Sequence, residues 1–513
     1  MEKIIYQKSV EQWCVLEVSC KGPDTGNPYQ EHWLKGSFCG EHEEVEANGF
    51  YDGDGWYRVR FMPSFSGEYC FRLAADFMEE CGGRFMVTPA CGENHGPVRV
   101  ANRYHFAYED GTPYYSVGTT CYVWELQDDR RIQDTLDSLQ EAGFNKIRFC
   151  IFPKHYDYNL GEPRSYPYEG TPMDSRVLTK DNFNQYTGKK EGNHWDFFRF
   201  HPQHFRHIEK CILELQKLGI EADLIMMHPY DRWGFSDMGE EADDFYWKYA
   251  VARLAAFRNV WWSLANEYDL MKAKTEYDWE RYARILCTAD PYHHLRSIHN
   301  CFPFYDYNRP WITHCSIQRQ DVYRTAENVN EWRIRFQKPV VLDEIAYEGN
   351  IQHGWGNISA REMVRRFWEA ACRGGYAGHG ETYMDPEDIL WWSHGGKLHG
   401  ESWKRLSFLK EILTETPGIG LKPCERSSFD EVCAVPESPV HAGTYYLYYY
   451  SFMRPSFRDF YFDDETEYEA AVIDTWNMEK KPAGRHHGKF RIALPGREYM
   501  AVQIKRVEEA GHE

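Results

Sequence analysis

The sequence predicts an α/β protein: a (β/α)8 TIM barrel flanked by an N-terminal and a C-terminal β-sandwich domain. Three observations predict it. Short apolar runs alternate with amphipathic helical patterns through the middle of the chain. Both ends instead alternate apolar and polar residues over short runs, separated by Gly and Asp clusters. Two of the middle runs, NVWWSLANEYD (259–269) and PVVLDE (339–344), stop at a carboxylate. Parallel barrel strands are buried on both faces and therefore read as continuous apolar runs. A charge at the end marks where such a strand leaves the core for the mouth of the barrel.

Residues 1–95 read as an Ig-like sandwich. EQWCVLEVSC, WLKGSFCG, GWYRVRFMP and GEYCFRLAA have strand patterning, and GFYDGDG suits a hairpin turn. Residues 96–418 read as the barrel. Its strands are expected in PYYSVGTT, FNKIRFCIF, IEADLIMMHP, NVWWSLANE, LRSIHN, WITHCSIQ, PVVLDE and YAGHGETY. Helices are expected in IQDTLDSLQEAG, FRHIEKCILELQKLG, EADDFYWKYAVARLAAF, TAENVNEWRIRFQ, SAREMVRRFWEAACRGG and ESWKRLSFLKEILTE. From about 154 to 201 the chain is rich in Tyr, Pro, Gly and Asn and lacks periodicity, which suggests a long functional loop. Residues 419–513 read as a second sandwich, with strands in TYYLYYYSF, EYEAAVIDTW, GKFRIALPG and YMAVQIKR.

The net charge is −20, with acids spread over the whole chain. Phosphate binding needs clustered Lys and Arg, so no nucleic-acid partner is expected. Solubility alone accounts for the acidity. Aromatic residues make up 16 %, a surplus that fits either sugar stacking or sandwich cores. The 15 cysteines lack CxxC spacing, so free thiols are expected rather than a disulfide framework or zinc site. The N-terminal MEKIIYQKSVEQW has no apolar signal core, and no run approaches the length of a membrane span. The expectation is a cytoplasmic protein without a membrane partner.

Cleaving a glycosidic bond takes a proton for the leaving oxygen and a negative group facing the anomeric carbon, and two carboxyls supply both. Glu267 is the candidate acid and base, and Glu344 the candidate nucleophile. Either one alone could equally be a helix cap or a loop carboxylate. Asp343 competes with Glu344, and a period of two turns only one of them inward. Arg148, on strand two, could hold the nucleophile ionised, or form an interior ion pair. His228, Asp231 and Trp233 follow strand three and could bind a sugar or form a packed turn. Tyr122 and Trp124 follow strand one. His379 and Glu381 lie on strand eight, with Trp391 and Trp392 behind them as a sugar platform or helix core. His228, His299, His314 and His379 near strand ends invite a metal, but no HxH follows strand one and no HExxH occurs. No metal or cofactor is expected.

Asn266-Glu267 closing strand four and Glu344 closing strand seven resemble the retaining glycosidases of the 4/7 barrel superfamily. More closely, the chain resembles apiosidase-like (DUF4038-type) barrels fused to DUF5060-like and DUF5605-like sandwiches. That likeness is carried by GFYDGDGWYRVRFMPSFSGEYCFRL (49–73) and by AAVIDTWNMEK with RIALPGREYMAVQI. The resemblance implies a retaining glycoside hydrolase, with Asn266 touching the sugar 2-hydroxyl. The long insertion after strand two and the aromatic loops, which could wall off a pocket, suggest exo action on short oligosaccharides or glycosides. The superfamily often places a Tyr near strand six against the nucleophile. Here ITHCSIQ stands there, leaving the nucleophile's partner open and making His314 a sugar-site candidate. The rival readings are a non-catalytic carbohydrate-binding barrel and a metal-dependent hydrolase. The partner expected is a carbohydrate, with the sandwiches as buttresses or homo-oligomer contacts.

Overall fold

The structure is a computed structural model that describes residues 4–158, 161–174, 191–384, 386, 390–428 and 430–507. Eight parallel strands form one sheet: β1 (Gly118–Thr120), β2 (Lys146–Cys150), β3 (Glu221–Ile225), β4 (Val260–Ser263), β5 (Arg296–Ser297), β6 (Cys315–Gln318), β7 (Val340–Glu344) and β8 (Tyr376–His379). They pair in the order β5-β4-β3-β2-β1-β8-β7-β6. A parallel bridge between His299 and Ser316 spans the seam between β5 and β6. Every residue of β2, β3, β4 and β7 is buried, as their continuous apolar character requires.

The helices around this ring are α1 (Asp129–Ala142), α2 (Pro202–Lys217), α3 (Glu240–Leu254), α4 (Glu276–Ala289), α5 (Val329–Phe336), α6 (Ala360–Cys372) and α7 (Ser402–Thr414). Asp128 caps α1 by accepting from the Arg131 amide, and Gly143 ends it at φ +66°, the left-handed turn that glycine adopts without strain. The sequence reading went from strand four to strand five without a helix, and α4 fills that gap. Its signal was a capping box, Thr275 with Asp278. The stretch expected to be an irregular loop contains a hairpin instead, Tyr168–Thr171 against His194–Phe200. Tyr168 and Phe200 stack in its core at 5.3 Å. Residues 159–160 and 175–190 of that stretch lie outside the described residues.

A three-stranded sheet (Val98–Ala101, His105–Tyr108, Pro113–Tyr114) plugs one end of the barrel. Its Val98, Phe106 and Tyr114 cluster with Trp261, Val341 and Tyr376 from β4, β7 and β8. Above that plug the interior is polar. Lys146 Nζ lies 3.0 Å from Asp223 and 2.6 Å from Asp343, all three buried. The interior expectation needs one correction. Between β6 and β7 the register slips: Ser316 pairs with Val341, but Gln318 pairs with Glu344. The extra residue on β7 is a bulge, and a bulge breaks strict alternation. Asp343 and Glu344 therefore both face the interior: Asp343 meets Lys146 and Ser316, and Glu344 meets Arg148.

N-terminal to the barrel lie a four-stranded sheet and a five-stranded sheet, and C-terminal to it a six-stranded sheet with a two-stranded one. A buried ion network couples the N-terminal sheets to the barrel helices. Arg253 of α3 reaches Asp52 at 2.7 Å and Glu209 of α2 at 2.6 Å, and Arg60 reaches Glu209 at 2.8 Å. On the other side Trp368 of α6 stacks on Tyr449. Among the described residues no disulfide is formed. Among the described residues, no helix is long and apolar enough to cross a membrane.

Candidate active site

β4 ends at Ser263, and the chain then turns through Asn266 and Glu267 at the barrel mouth. Glu267 has φ +50°, a conformation uncommon for any residue with a side chain and costing of order 1 kcal/mol. Flanking main-chain hydrogen bonds hold it: Asn266 N to Met227 O at 3.0 Å and Tyr268 N to His299 O at 2.9 Å. The turn aims the Glu267 carboxylate into the cavity. There Oε2 accepts from the Tyr230 hydroxyl and from Asn266 Nδ2 at 3.3 Å, and Oε1 accepts from Gln318 Nε2 at 3.1 Å. Burial, then the negative charge of Glu344, raises the Glu267 carboxyl above its ordinary range.

Glu344 ends β7. Its Oε1 accepts from the Tyr122 hydroxyl and from Arg148 Nη1 at 3.2 Å, and His299 Nε2 lies 3.3 Å away. Burial alone would raise this carboxyl too. The hydrogen bond and charge of His299, the Arg148 guanidinium and the Tyr122 hydroxyl outweigh burial and hold it well below the usual carboxylate range. Arg148 also donates through Nη2 to Asn266 Oδ1 at 2.9 Å. That contact turns the Asn266 amide so that its NH2 faces Glu267. Arg148 is thus an interior ion pair whose partner is Glu344.

These carboxylates share a cavity of about 540 Å³. Tyr122, Tyr156, Tyr230, Tyr347, Trp355 and Trp392 give it aromatic walls. Lys154 projects among them, its Nζ 3.4 Å from the Tyr122 ring centroid, 4.3 Å from that of Trp392 and 4.4 Å from that of Tyr230. Burial pushes the Lys154 ammonium down to about 8.

Of the residues expected from sequence, Glu267, Glu344, Asn266, Arg148 and Tyr122 converge here. Seven others do not line this cavity. His228 is buried, with Nε2 3.2 Å from Phe152 O. Asp231 accepts from the amides of Trp233, Gly234 and Ser236 and so shapes a turn, and Trp233 packs on Phe235. Trp124 packs against Phe149 of the barrel wall. His314 lies against the plug, 5.8 Å from Phe106 and 5.3 Å from Trp261 by ring centroids. His379 faces outward to Thr119, and Trp391 donates to the same Thr119. The physical reason is shared: each is held in a packed layer by a main-chain, hydroxyl or aromatic partner. Tyr230, beside Asp231, reaches the cavity instead, and of the expected Trp391-Trp392 pair it is Trp392 that does. His299 and Gln318, noted before only as polar residues near strand ends, connect the two carboxylates. Lys154, Tyr156 and Trp355 sit in aperiodic loops and gave no signal beyond composition.

Residues 100–409 match the family model described as "Apiosidase-like, catalytic domain". The chain belongs to the apiosidase-like family. In this apiosidase-like chain, residues 9–76 match the domain of unknown function DUF5060 and residues 429–505 match DUF5605. A crystal structure from Bacteroides vulgatus ATCC 8482, described as a "putative glycoside hydrolase", is 36 % identical. That alignment covers 98 % of this chain and 100 % of the other, with a TM-score of 0.88. A second structure, described as "Glycoside hydrolase", is 15 % identical over 83 % of this chain and 100 % of its own, with a TM-score of 0.58, which shows a shared fold. No protein in a search of curated sequences matches.

Proposed function

We propose that this protein is a retaining glycoside hydrolase acting on short oligosaccharides or glycosides. The observation that carries the reading is the Glu267–Glu344 pair: two buried carboxyls lining one cavity, one raised and one lowered. Carboxyls pushed apart in this way divide the acid and nucleophile roles at a single pH.

In the first step a Glu344 oxygen attacks the anomeric carbon and forms an ester bond to the sugar. The glycosidic bond breaks, and the leaving oxygen takes the Glu267 proton. In the second step Glu267, now ionised, removes a proton from water. The water oxygen attacks the anomeric carbon, the ester breaks, and both carboxyls return to their starting states. Inversion twice gives retention, which requires a carboxyl separation of about 5–5.5 Å. Asn266, anchored by Arg148, is assigned to the sugar 2-hydroxyl. The aromatic walls suit the C–H faces of a sugar ring, and a cavity walled by loops suits cleavage from a chain end. The sheets on either side of the barrel act as buttresses, a role supported by the buried Arg253–Asp52 contact.

The test is a panel of aryl pyranosides and furanosides. Glu344→Ala should abolish turnover of whichever glycoside the wild type cleaves, and near-normal activity would overturn the assignment. Proton NMR of the first-formed product should show the substrate's own anomeric configuration.

A further inference from the structure

His379 points away from the catalytic cavity. Lys146 and Arg148 face the barrel interior, so Ile147 between them faces outward. Ile147 pairs with Thr119, and Thr119 pairs with His379. On that outer face His379 meets two carboxylates from the loops above, Glu348 and Glu381. One donor atom from each of the three lies within 4.8 Å of the others. All three residues are at most 1 % exposed.

Among the described residues, two donor atoms in this cluster find no hydrogen-bond partner, His379 Nε2 and Glu381 Oε1, and they stand 3.7 Å apart. The other oxygen of Glu381 accepts from the His399 and Gly400 amides at 2.8 and 3.0 Å. Glu348 accepts from the Glu401 and Ser402 amides at the start of α7, at 2.9 and 3.1 Å. His379 Nδ1 lies 2.9 Å from Thr119 Oγ1, the outer contact by which a metal-binding imidazole is usually oriented. At Gly400 the main chain closes over the group: a Cβ there would fall 2.6 Å from Glu348 Oε2 and 2.6 Å from Glu381 Oε1. A buried carboxylate oxygen and a buried imidazole nitrogen that meet only each other, at 3.7 Å and too far apart for a hydrogen bond, are costly unless a ligand completes them.

We propose that Glu348, His379 and Glu381 bind a divalent transition-metal ion, zinc foremost, as a structural site behind the catalytic pocket. One imidazole with two carboxylates suits zinc better than the oxygen-only cages of calcium or magnesium. Two donors about 2.0–2.2 Å from a tetrahedral ion stand roughly 3.4 Å apart, close to the observed pair. The ion would join the loop after β7, the end of β8 and the start of α7. The first of those loops carries Tyr347 and Trp355, linked by Tyr347 N to Trp355 O at 2.7 Å, and both line the cavity. The metal thus stiffens the aromatic wall and takes no part in bond cleavage.

The experiment is elemental analysis of untagged full-length protein, with thermal melts of protein stripped by a chelator and titrated with zinc chloride. About one zinc per chain is expected, with a melting temperature that falls by several degrees on stripping and recovers on titration. His379→Gln and Glu381→Gln should each lower zinc occupancy at least tenfold and abolish the zinc-dependent shift, with the far-ultraviolet circular dichroism unchanged. Stripped wild type that melts at the same temperature with and without zinc overturns the proposal. So does full zinc occupancy in His379→Gln, which places the ion at thiols elsewhere. The wild-type titration decides even if a variant fails to fold. It reads stability, so it stands apart from the hydrolase assignment.

Discussion

The guanidinium of Arg148 stands 3.2 Å from Glu344 Oε1, the same oxygen that receives the Tyr122 hydroxyl. A carboxylate so held is oriented as well as ionised. Its second oxygen is left to face whatever enters the cavity.

Removing the Tyr122 hydroxyl tests this. A hydrogen bond to a charged group contributes about 1.5–3 kcal/mol, so Tyr122→Phe should lower kcat/KM roughly 10- to 100-fold on an active glycoside. Glu344 is depressed, so activity is present above its folded pKa and lost as pH falls through it. With one stabilising partner gone that pKa rises, and the acidic limb of the rate profile should move to higher pH. A pH-rate series on wild type and variant reads both effects.

On the proposed mechanism the alkaline limb belongs to the other carboxyl. Glu267 is raised by burial and by Glu344, and it must carry a proton to act as acid. Activity should therefore fall as pH rises through its pKa. Glu267→Gln should remove that limb for substrates with good leaving groups, which need no protonation, and should cost 10²-fold or more on poor ones. Equal loss on both substrate types would count against the acid role.

Why the barrel and its two carboxylates were legible while much of the pocket was not follows from how strands and loops encode direction. VWWSLANE and VVLDE are apolar until a charge appears, and a charge closing a strand buried on both faces must reach the mouth, as Glu344 does, or find a buried partner, as Asp343 does in Lys146. Residues beyond the strand ends have no period, so chemistry was visible there and orientation was not. Of the adjacent pair Trp391 and Trp392, both platform candidates by sequence, only Trp392 lines the cavity. His228 and Asp231 were singled out, and Tyr230 between them holds Glu267. Strict alternation admitted only one of Asp343 and Glu344, because a bulge is a property of two paired strands and is invisible in either alone. The partner of Glu344 was sought near strand six. Tyr122 after β1, Arg148 on β2 and His299 after β5 provide it, a convergence that only ring closure brings about.

Lys146 sits between Asp223 and Asp343 below the catalytic layer. Replacing it with Met leaves two buried carboxylates without their cation, a loss of about 3–5 kcal/mol. Asp343 is held below its usual range, and burial opposes Lys146, Arg148 and His299 there. Its contribution to wild-type stability is therefore full above the unfolded carboxyl value and fades as pH falls through the folded one. Without Lys146, protonation relieves the variant first, so the gap between Lys146→Met and wild type should be widest near pH 7 and narrow toward pH 5. Urea unfolding at the two pH values measures it.

Lys154 should behave in the opposite sense. Its ammonium is depressed from 10.5 to about 8 by burial, so the folded state disfavours the charge it carries at neutral pH. That penalty is complete below pH 8 and disappears as pH rises from 8 toward the unfolded value. By linkage it amounts to roughly 3–4 kcal/mol at most, at 1.36 kcal/mol per unit, and the contacts with Tyr122, Tyr230 and Trp392 offset part of it. Lys154→Met should therefore melt higher than wild type at pH 7, and the difference should shrink toward pH 10. Its ammonium also projects among the aromatic walls of the cavity, where a bound sugar would meet it. The same variant should therefore raise KM about tenfold or more while keeping the alkaline limb that Glu267→Gln removes. If Lys154→Met gained stability but left KM unchanged, the ammonium would have no role toward substrate.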